Sequence, residues 1–453
     1  MPIDQFKLEL QPAFSFSGKA IALGAAVYDK NPVPEITVKI PLSTINRHGL
    51  IAGATGTGKT KSIQRFTEAL SEQGVNVLLM DIKGDISGIS KPGSANAKIS
   101  ERMNLIGLPW APASYPTELM TISNEKGLRL RATVSEFGPV LLAKILELNQ
   151  NQEGAVAIIF KYCDDKKLPL LDIKDFRAVL QHLAGEGKDE VQQNYGAISP
   201  ATSGVIMRKL LELELQGGDA FFGEKSFEVE DLLQKKPDGK AVINVLRLTD
   251  IQDRPKLFST FMLCLLAEIY NKFPETGDKA EPKLVIFIDE AHLIFKEASP
   301  ALLQQLETII KLIRSKGVGI YFCTQAPTDI PDIILSQLGT KVQHALRAFT
   351  AKDRKNIKLV AENFPVTQFY ETDQLITELG IGEALITVLN EKGIPTPLVH
   401  TLMAAPQSRM DVITPAEQEE IINASAIASL YNEMIDRTSA YEILKGKITP
   451  ETQ

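Results

Sequence analysis

The chain has 453 residues, 44% of them apolar, and a formal net charge of −7. That is enough apolar material for a large core and two or three structural units, and the charge argues against a uniformly basic nucleic-acid-binding coat, although one groove or channel can still be lined with lysine and arginine. No apolar run approaches the roughly 18 to 20 residues that a membrane span needs: "LFSTFMLCLLAEIY" is short and carries Glu268, and "MPIDQFKLEL" has no basic region followed by an apolar one, so no membrane insertion is expected. Cys163, Cys264 and Cys323 lie far apart with no metal-ligand spacing, which leads to the expectation of a reduced, cytoplasmic protein.

Taken in order, residues 1–40 hold short apolar stretches broken by Gly and Pro ("SFSGKAIALGAAVYDKNPVPEITVKI") and read as a small β segment. Residues 41–98 read as the first part of an α/β core. "HGLIAG" is a short buried strand, a Gly-rich turn follows, and Ile63, Phe66 and Leu70 recur at helical spacing before Gly74, where a helix C-terminal cap is expected. "VNVLLMD" is a continuous apolar run ending in Asp81, as in a parallel strand covered on both faces, and completes a βαβ unit.

Residues 99–239 read as a mainly helical insertion, with helical periodicity in "GPVLLAKILELNQ", "IKDFRAVLQHLAGEG" and "SGVIMRKLLELELQ". Residues 240–405 then resume the parallel-strand pattern in "KAVINVLRL", "KLVIFIDEAH", "GVGIYFCTQ" and "KVQHALRAF". Between the middle pair lies a helix with Ser299 as N-cap, Pro300 in the first turn and Leu302, Leu303, Leu306, Ile309, Ile310 and Ile313 on one face. "EALITVLNEKGIPTPLVHTL" reads as a hairpin around Lys392 and Gly393, and residues 406–453 as a polar helical tail. Strands alternating with helices predict a right-handed, doubly wound α/β fold.

The chemistry begins at Gly53-x-x-x-x-Gly58-Lys59-Thr60, a complete Walker A pattern between a predicted strand and a predicted helix. Backbone N–H groups of Gly53, Ala54, Thr55, Gly56, Thr57, Gly58, Lys59, Thr60 and Lys61 would cradle the phosphates of ATP. The helix N-terminus adds positive potential, Lys59 meets the terminal phosphates and Thr60 offers its hydroxyl to Mg²⁺. A chance glycine turn is improbable with every fixed position and both flanking elements present. In "LVIFIDEAH", a strand ending at Asp289 and Glu290 has the Walker B arrangement: Asp289 holds Mg²⁺ and Glu290 activates the attacking water. Alone, such an acidic pair could equally just end a buried strand; beside a Walker A it carries chemistry. His292 is better read as structural or coupling than as a metal ligand, for want of partner ligands. Gln325, ending "GVGIYFCTQ", is the candidate γ-phosphate sensor, against the blander reading of a strand terminus bonded to a loop.

The motifs "INRHGLIAGATGTGKT", "LLMDIKGDISG", "LVIFIDEAHLIF" and "LIRSKGVGIYFCTQAPTDIPDIILSQLGTKVQHALRA" together resemble the HerA/FtsK branch of P-loop ATPases, specifically the HerA-like helicase C-terminal family with its YjgR-type bacterial members. The resemblance runs from about Ile36 to Leu402. It implies a RecA-like ATPase core, usually in a hexameric ring, with hydrolysis coupled to movement along DNA. By resemblance alone, Asp81 matches an acidic residue near the nucleotide, its plain alternative being a turn cap. Arg314 and Arg347 likewise match arginines that sense or reach a neighbour's γ-phosphate, against ordinary solvated arginines. Two departures are expected: an N-terminal β region shorter than the barrel of archaeal members, and no added DNA-reading domain. The basic run "AKDRKNIK" reads as a solvated helix face opened by a Thr350–Asp353 capping box. Asp289-Glu290-Ala291-His292 invites a DEAH-helicase reading, which the short remaining chain without a second arginine-rich domain excludes. A different class stays open: an ATP-controlled interaction protein, or a protein-directed ATPase, whose helical insertion binds a protein partner.

Overall fold

The computed structural model describes residues 3–277, 281–296, 300–433, 435 and 437–446. Its frame is one twelve-stranded sheet in the order β2-β1-β12-β11-β10-β3-β9-β8-β4-β7-β5-β6. The strands are β1 (Ala20–Tyr28), β2 (Asn31–Pro41), β3 (Gly49–Ala52), β4 (Asn76–Asp81), β5 (Thr117–Thr121), β6 (Leu128–Arg129), β7 (Ile243–Arg247), β8 (Leu284–Ile288), β9 (Val318–Thr324), β10 (Thr340–Gln343), β11 (Glu383–Thr387) and β12 (Val399–Met403). From β10 to β6 every neighbouring pair is parallel, and from β10 to β2 every pair is antiparallel. The parallel strands β3, β4, β8 and β9 are buried at every position, as strands covered by helices on both faces must be.

Alternation along these strands feeds two cores. Leu50, Ala52, Leu78 and Met80 point to one face, where they join the helices Val134–Ile145, Gln150–Lys166, Ile173–Ala184, Pro200–Leu215 and Pro255–Lys272. Ile51, Val77 and Leu79 point to the other, where Ile63, Phe66 and Leu70 of the helix Lys59–Glu72 cover them. That helix ends as its sequence suggests, with Gly74 in the left-handed region at φ 75°.

The helical stretch of the insertion runs from Val134 to Phe221, whereas its upstream residues 117–129 supply β5 and β6 to the main sheet. The N-terminal hairpin also belongs to that sheet, because β1 pairs with β12 at Gly24–Met403, Ala25–Leu402 and Ala26–Thr401. It is preceded by a helix, Ile3–Ala13, whose Phe6 packs on Tyr28 with ring centroids 4.8 Å apart. The tail returns to the insertion. Tyr431 is buried, donates to Asp231 at 2.5 Å and accepts Arg131 on its main-chain carbonyl, while Ser439 donates to Asp175. The helix Pro300–Ile313 stands where its apolar face predicts, with Leu306, Ile309, Ile310 and Ile313 in the core; its expected cap Ser299 lies outside the described residues.

Candidate functional site

Strand register assembles the site. Ala52 of β3 sits opposite Thr324 of β9 and Gln343 of β10, Ile288 of β8 is opposite Phe322 of β9, and Met80 of β4 is opposite Ile288. The residues that leave these strands at their carboxyl ends, Gly53, Gln325, His344, Asp289 and Ile82, therefore emerge on one edge, where open α/β sheets bind ligands. The strand ending at Gln325 lies between the glycine-loop strand and the acidic strand, so it separates their two chemistries while bordering both.

The loop 53–58 leads into the helix Lys59–Glu72, whose first-turn amides have no acceptor within the helix. Its N-cap is Gly58 at φ 112°, with no side chain to occupy those amides; a Cβ there would also lie 3.0 Å from Gly382 N. A Cβ on Gly53 would stand 2.5 Å from His344 Cβ. At Gly56 an added Cβ meets nothing within 4 Å, so the glycine there answers to its φ of 78°. His344 is a floor residue that the sequence did not reveal. Its Nδ1 donates to the Glu383 carbonyl at 2.8 Å, its Nε2 has no hydrogen-bond partner, and burial pushes its pKa down to about 4, keeping it neutral beneath the loop.

Lys59 is buried, and its ammonium donates to the carbonyl of Gly53 and, at 3.5 Å, to that of Ala54. Burial lowers its pKa, with Lys83 acting in the same direction against Glu290 and Asp289. Thr60 Oγ1 donates to Asp85 Oδ2 at 3.3 Å, and Asp85 Oδ1 is buried without a partner. Asp289 is buried, and that burial raises its pKa to about 6 against the attraction of Lys83. Glu290 stands in the left-handed region at φ 46°, a cost that such a residue bears only when its surroundings fix it. Its Oε1 accepts Lys83 Nζ, and its Oε2 lies 3.2 Å from His292 Nδ1 without hydrogen-bond geometry. Glu290, Lys83, His292 and Gln325 line one cleft of about 590 Å³. The pairings of Lys83 with Glu290 and of Asp85 with Thr60 are absent from the sequence reading; the spacing in "DIKGD" was their only trace.

Asp81 has a different task. It is fully buried and accepts N–H bonds from Gly84 at 2.8 Å, Asp85 at 3.2 Å and Ile86 at 3.2 Å, so it builds the turn that aims Lys83 and Asp85. Burial, with Asp85 and Asp289 nearby, raises its pKa to about 7.

The arginines part company. Arg347 follows β10 on the loop's edge of the sheet, is exposed, and donates to the Thr377 carbonyl at 3.0 Å. Arg314 precedes β9, at the opposite end of a seven-residue strand, about 20 Å from that edge. It borders a separate cleft with Arg47 and Gln337 and cannot serve its own phosphate loop. The helix Ala351–Glu362 opens with the Thr350–Asp353 capping box and is solvated along Lys352, Lys355 and Lys358, but Phe349 just ahead of it is 87% exposed.

Hard oxygen donors from Thr60, Asp85 and Asp289 suit Mg²⁺, and the orphaned Asp85 Oδ1 is an oxygen such a cation would satisfy. Among the described residues no group of three or more His, Cys, Asp or Glu could hold a metal ion.

The sequence pattern of the helicase HerA-like C-terminal family matches residues 28–453. The chain belongs to that family. Among relatives of this HerA-like chain, the DNA import protein CedB of Sulfolobus acidocaldarius is 26% identical over 402 residues, 87% of this chain and 58% of CedB. The DNA double-strand break repair helicase HerA of the same organism is 22% identical over 382 residues, 80% of this chain and 66% of HerA. The HerA-like chain thus spans less than two thirds of either relative. The plasmid coupling protein TrwB, solved in complex with ADP and Mg²⁺, has the same fold at a TM-score of 0.56 and 14% identity, covering 88% of this chain and 99% of that one. The RecA-like P-loop fold expected from the sequence is therefore the fold of the HerA-like chain.

Proposed function

We propose that this HerA-like chain is a Mg²⁺-dependent ATPase that couples hydrolysis to movement along DNA as a ring, hexameric by family resemblance, in the cytoplasm. One observation carries the reading: Lys59, Thr60, Asp289 and Glu290 reach one edge of the sheet together, with Glu290 held in a strained, ion-paired position that phosphate binding alone does not require. Loop amides and Lys59 bind the β- and γ-phosphates. Thr60 and Asp289 would hold Mg²⁺, which supplies charge neutralisation on the phosphates when bound. Glu290 takes the proton of the attacking water once Lys83 yields it, and Gln325 reports on the γ-phosphate. Arg314, remote from its own loop, acts across a subunit boundary if it acts in catalysis, which ties turnover to assembly. Arg347, on the loop's own edge, is the alternative arginine.

A protein-directed ATPase is the second reading, favoured by Val140 and Leu215, 65% and 87% exposed on the helical insertion. Lys59→Ala is expected to abolish ATP binding, and Glu290→Gln to retain binding while losing about 10² to 10⁴ in turnover. Isotherms and steady-state hydrolysis on both variants check this; ready turnover by Glu290→Gln removes Glu290 from its role.

A further inference from the structure

Lys83 is the cation of the cleft whose task the motifs do not state. Its main chain is fixed. Asp81 accepts the N–H groups of Gly84, Asp85 and Ile86, Gln252 Nε2 donates to the Ile82 carbonyl at 2.9 Å, and the Asp81 carbonyl accepts the Leu248 N–H at 3.0 Å. Its side chain is free to swing: it is 36% exposed, lines the cleft of about 590 Å³ and ends in a compact ammonium on a flexible aliphatic stem.

That ammonium has neighbours of both signs. It is paired with Glu290, a buried residue whose other oxygen, Oε2, has no hydrogen-bond partner. Lys59 is near enough that, after burial, Lys83 is the next influence lowering its pKa. Two ammonium groups held close in a half-buried site repel each other, and an anion within reach of both relieves the repulsion. The phosphate-loop and acidic-strand motifs put such an anion there, the γ-phosphate of the bound nucleotide. It arrives as a competitor for the same ammonium, with more charge and more acceptor oxygens than a carboxylate offers.

Resting on the nucleotide reading above, we propose that Lys83 is a γ-phosphate-contacting residue: when the triphosphate binds, its ammonium passes from the Glu290 carboxylate to a γ-phosphate oxygen, and Glu290 is released to the attacking water. The exchange makes the γ-phosphate itself the signal that frees the base. ADP, which lacks that phosphate, leaves the pair closed. A lysine that only braces Glu290 behaves differently, because its ammonium stays on the carboxylate with either nucleotide.

The test is equilibrium binding of Mg²⁺-loaded β,γ-imido-ATP and of Mg²⁺-loaded ADP to the unaltered chain, Lys83→Met, Glu290→Gln and the double variant. Methionine keeps the aliphatic stem, and the double variant removes both members of the pair, so neither charge is left without its partner. From Glu290→Gln to the double variant, imido-ATP affinity is expected to fall more than about tenfold, the measure of one hydrogen bond to a charged group. From the unaltered chain to Lys83→Met the loss is expected to be smaller, since there the lysine must first leave Glu290. ADP affinity is expected to stay within about threefold throughout, which also reports that each variant folds. Where Lys83→Met alone fails to fold, the comparison on the Glu290→Gln background decides. No loss on that background, an equally large loss on the unaltered background, or a matching loss for ADP overturns the exchange. Failure of the unaltered chain to bind either nucleotide overturns instead the phosphate-loop reading beneath it.

Discussion

Individual residues divide into those whose chemistry was written in the motif and those whose task depends on a neighbour far along the chain. Lys59, Thr60, Asp289 and Glu290 are candidates from the motifs alone, because a phosphate cradle and an acidic strand end call for those residue types at fixed spacing. Lys83 and His344 did not: the partner of Lys83 is Glu290, and His344 matters because Gly53 folds onto it. Asp81 shows how a resemblance can point to the right place while the geometry supplies a different task, since its oxygens serve three main-chain N–H groups. Its pKa, raised to about 7 from 3.8, makes a signed prediction. Protonation favours the folded state, so its contribution is full below the unfolded pKa and is lost as pH rises through about 7. Buried His48 and His344, both lowered to about 4, act oppositely, their contribution being lost as pH falls from the usual histidine range toward 4. The difference in melting temperature between wild type and Asp81→Asn isolates the aspartate. Without nucleotide or metal, that difference is expected to shift in favour of the wild type as pH falls from 8 to 5, and a pH-independent difference contradicts the assigned burial effect.

At the scale of elements, the βαβ unit and the Walker B strand were legible because each combines a continuous apolar run with a chemically constrained end. The edges of the sheet were less so. Strand β5, "TELMT", is short and half polar, and only its parallel pairing with β7 makes it a strand. The helix Ile3–Ala13 was missed, as its two buried residues, Phe6 and Leu10, give little periodicity to read. The tail read as a polar helical appendage, yet Tyr431 is 1% exposed and locked to Asp231 and Arg131. Tyr431→Ala should therefore cost about 3 to 5 kcal/mol, as for other buried aromatics, seen as a lowered midpoint in urea unfolding. Tyr431→Phe, which leaves Asp231 short of a donor, should cost about 1 to 3 kcal/mol. In the phosphate loop, Gly53→Ala should destabilise through its 2.5 Å approach to His344 and reduce ATP affinity in parallel. An unchanged melting temperature and affinity for Gly53→Ala would show that the loop is not held from below.

For the whole molecule, a single sheet joins the N-terminal hairpin, the strands that carry the phosphate loop and the acidic pair, and the edge strands. Arg314 sits at the end of β9 remote from Gln325, an arrangement that suits a subunit whose one edge binds nucleotide while the other completes a neighbour's site. Mixing Arg314→Ala with Lys59→Ala, each inactive alone, should restore part of the activity if the arginine works across a boundary; no recovery confines it to a structural role. No helix among the described residues is long and apolar enough to cross a membrane. On the proposed DNA reading, the net charge of −7 would leave contact to local surfaces such as Arg347, Arg354 and exposed Phe349, and phosphate contacts of that kind weaken steeply with salt. The motifs name a nucleotide site but not what it acts on, because the surfaces that would choose a partner are spelled out by no motif. The deciding measurement is steady-state ATP hydrolysis with and without single- and double-stranded DNA at two salt concentrations, with Glu290→Gln as the blank. Turnover that DNA stimulates, with the stimulation fading as salt rises, is the predicted result; full turnover indifferent to DNA at both salts would contradict the DNA motor and turn attention to Val140 and Leu215 on the insertion.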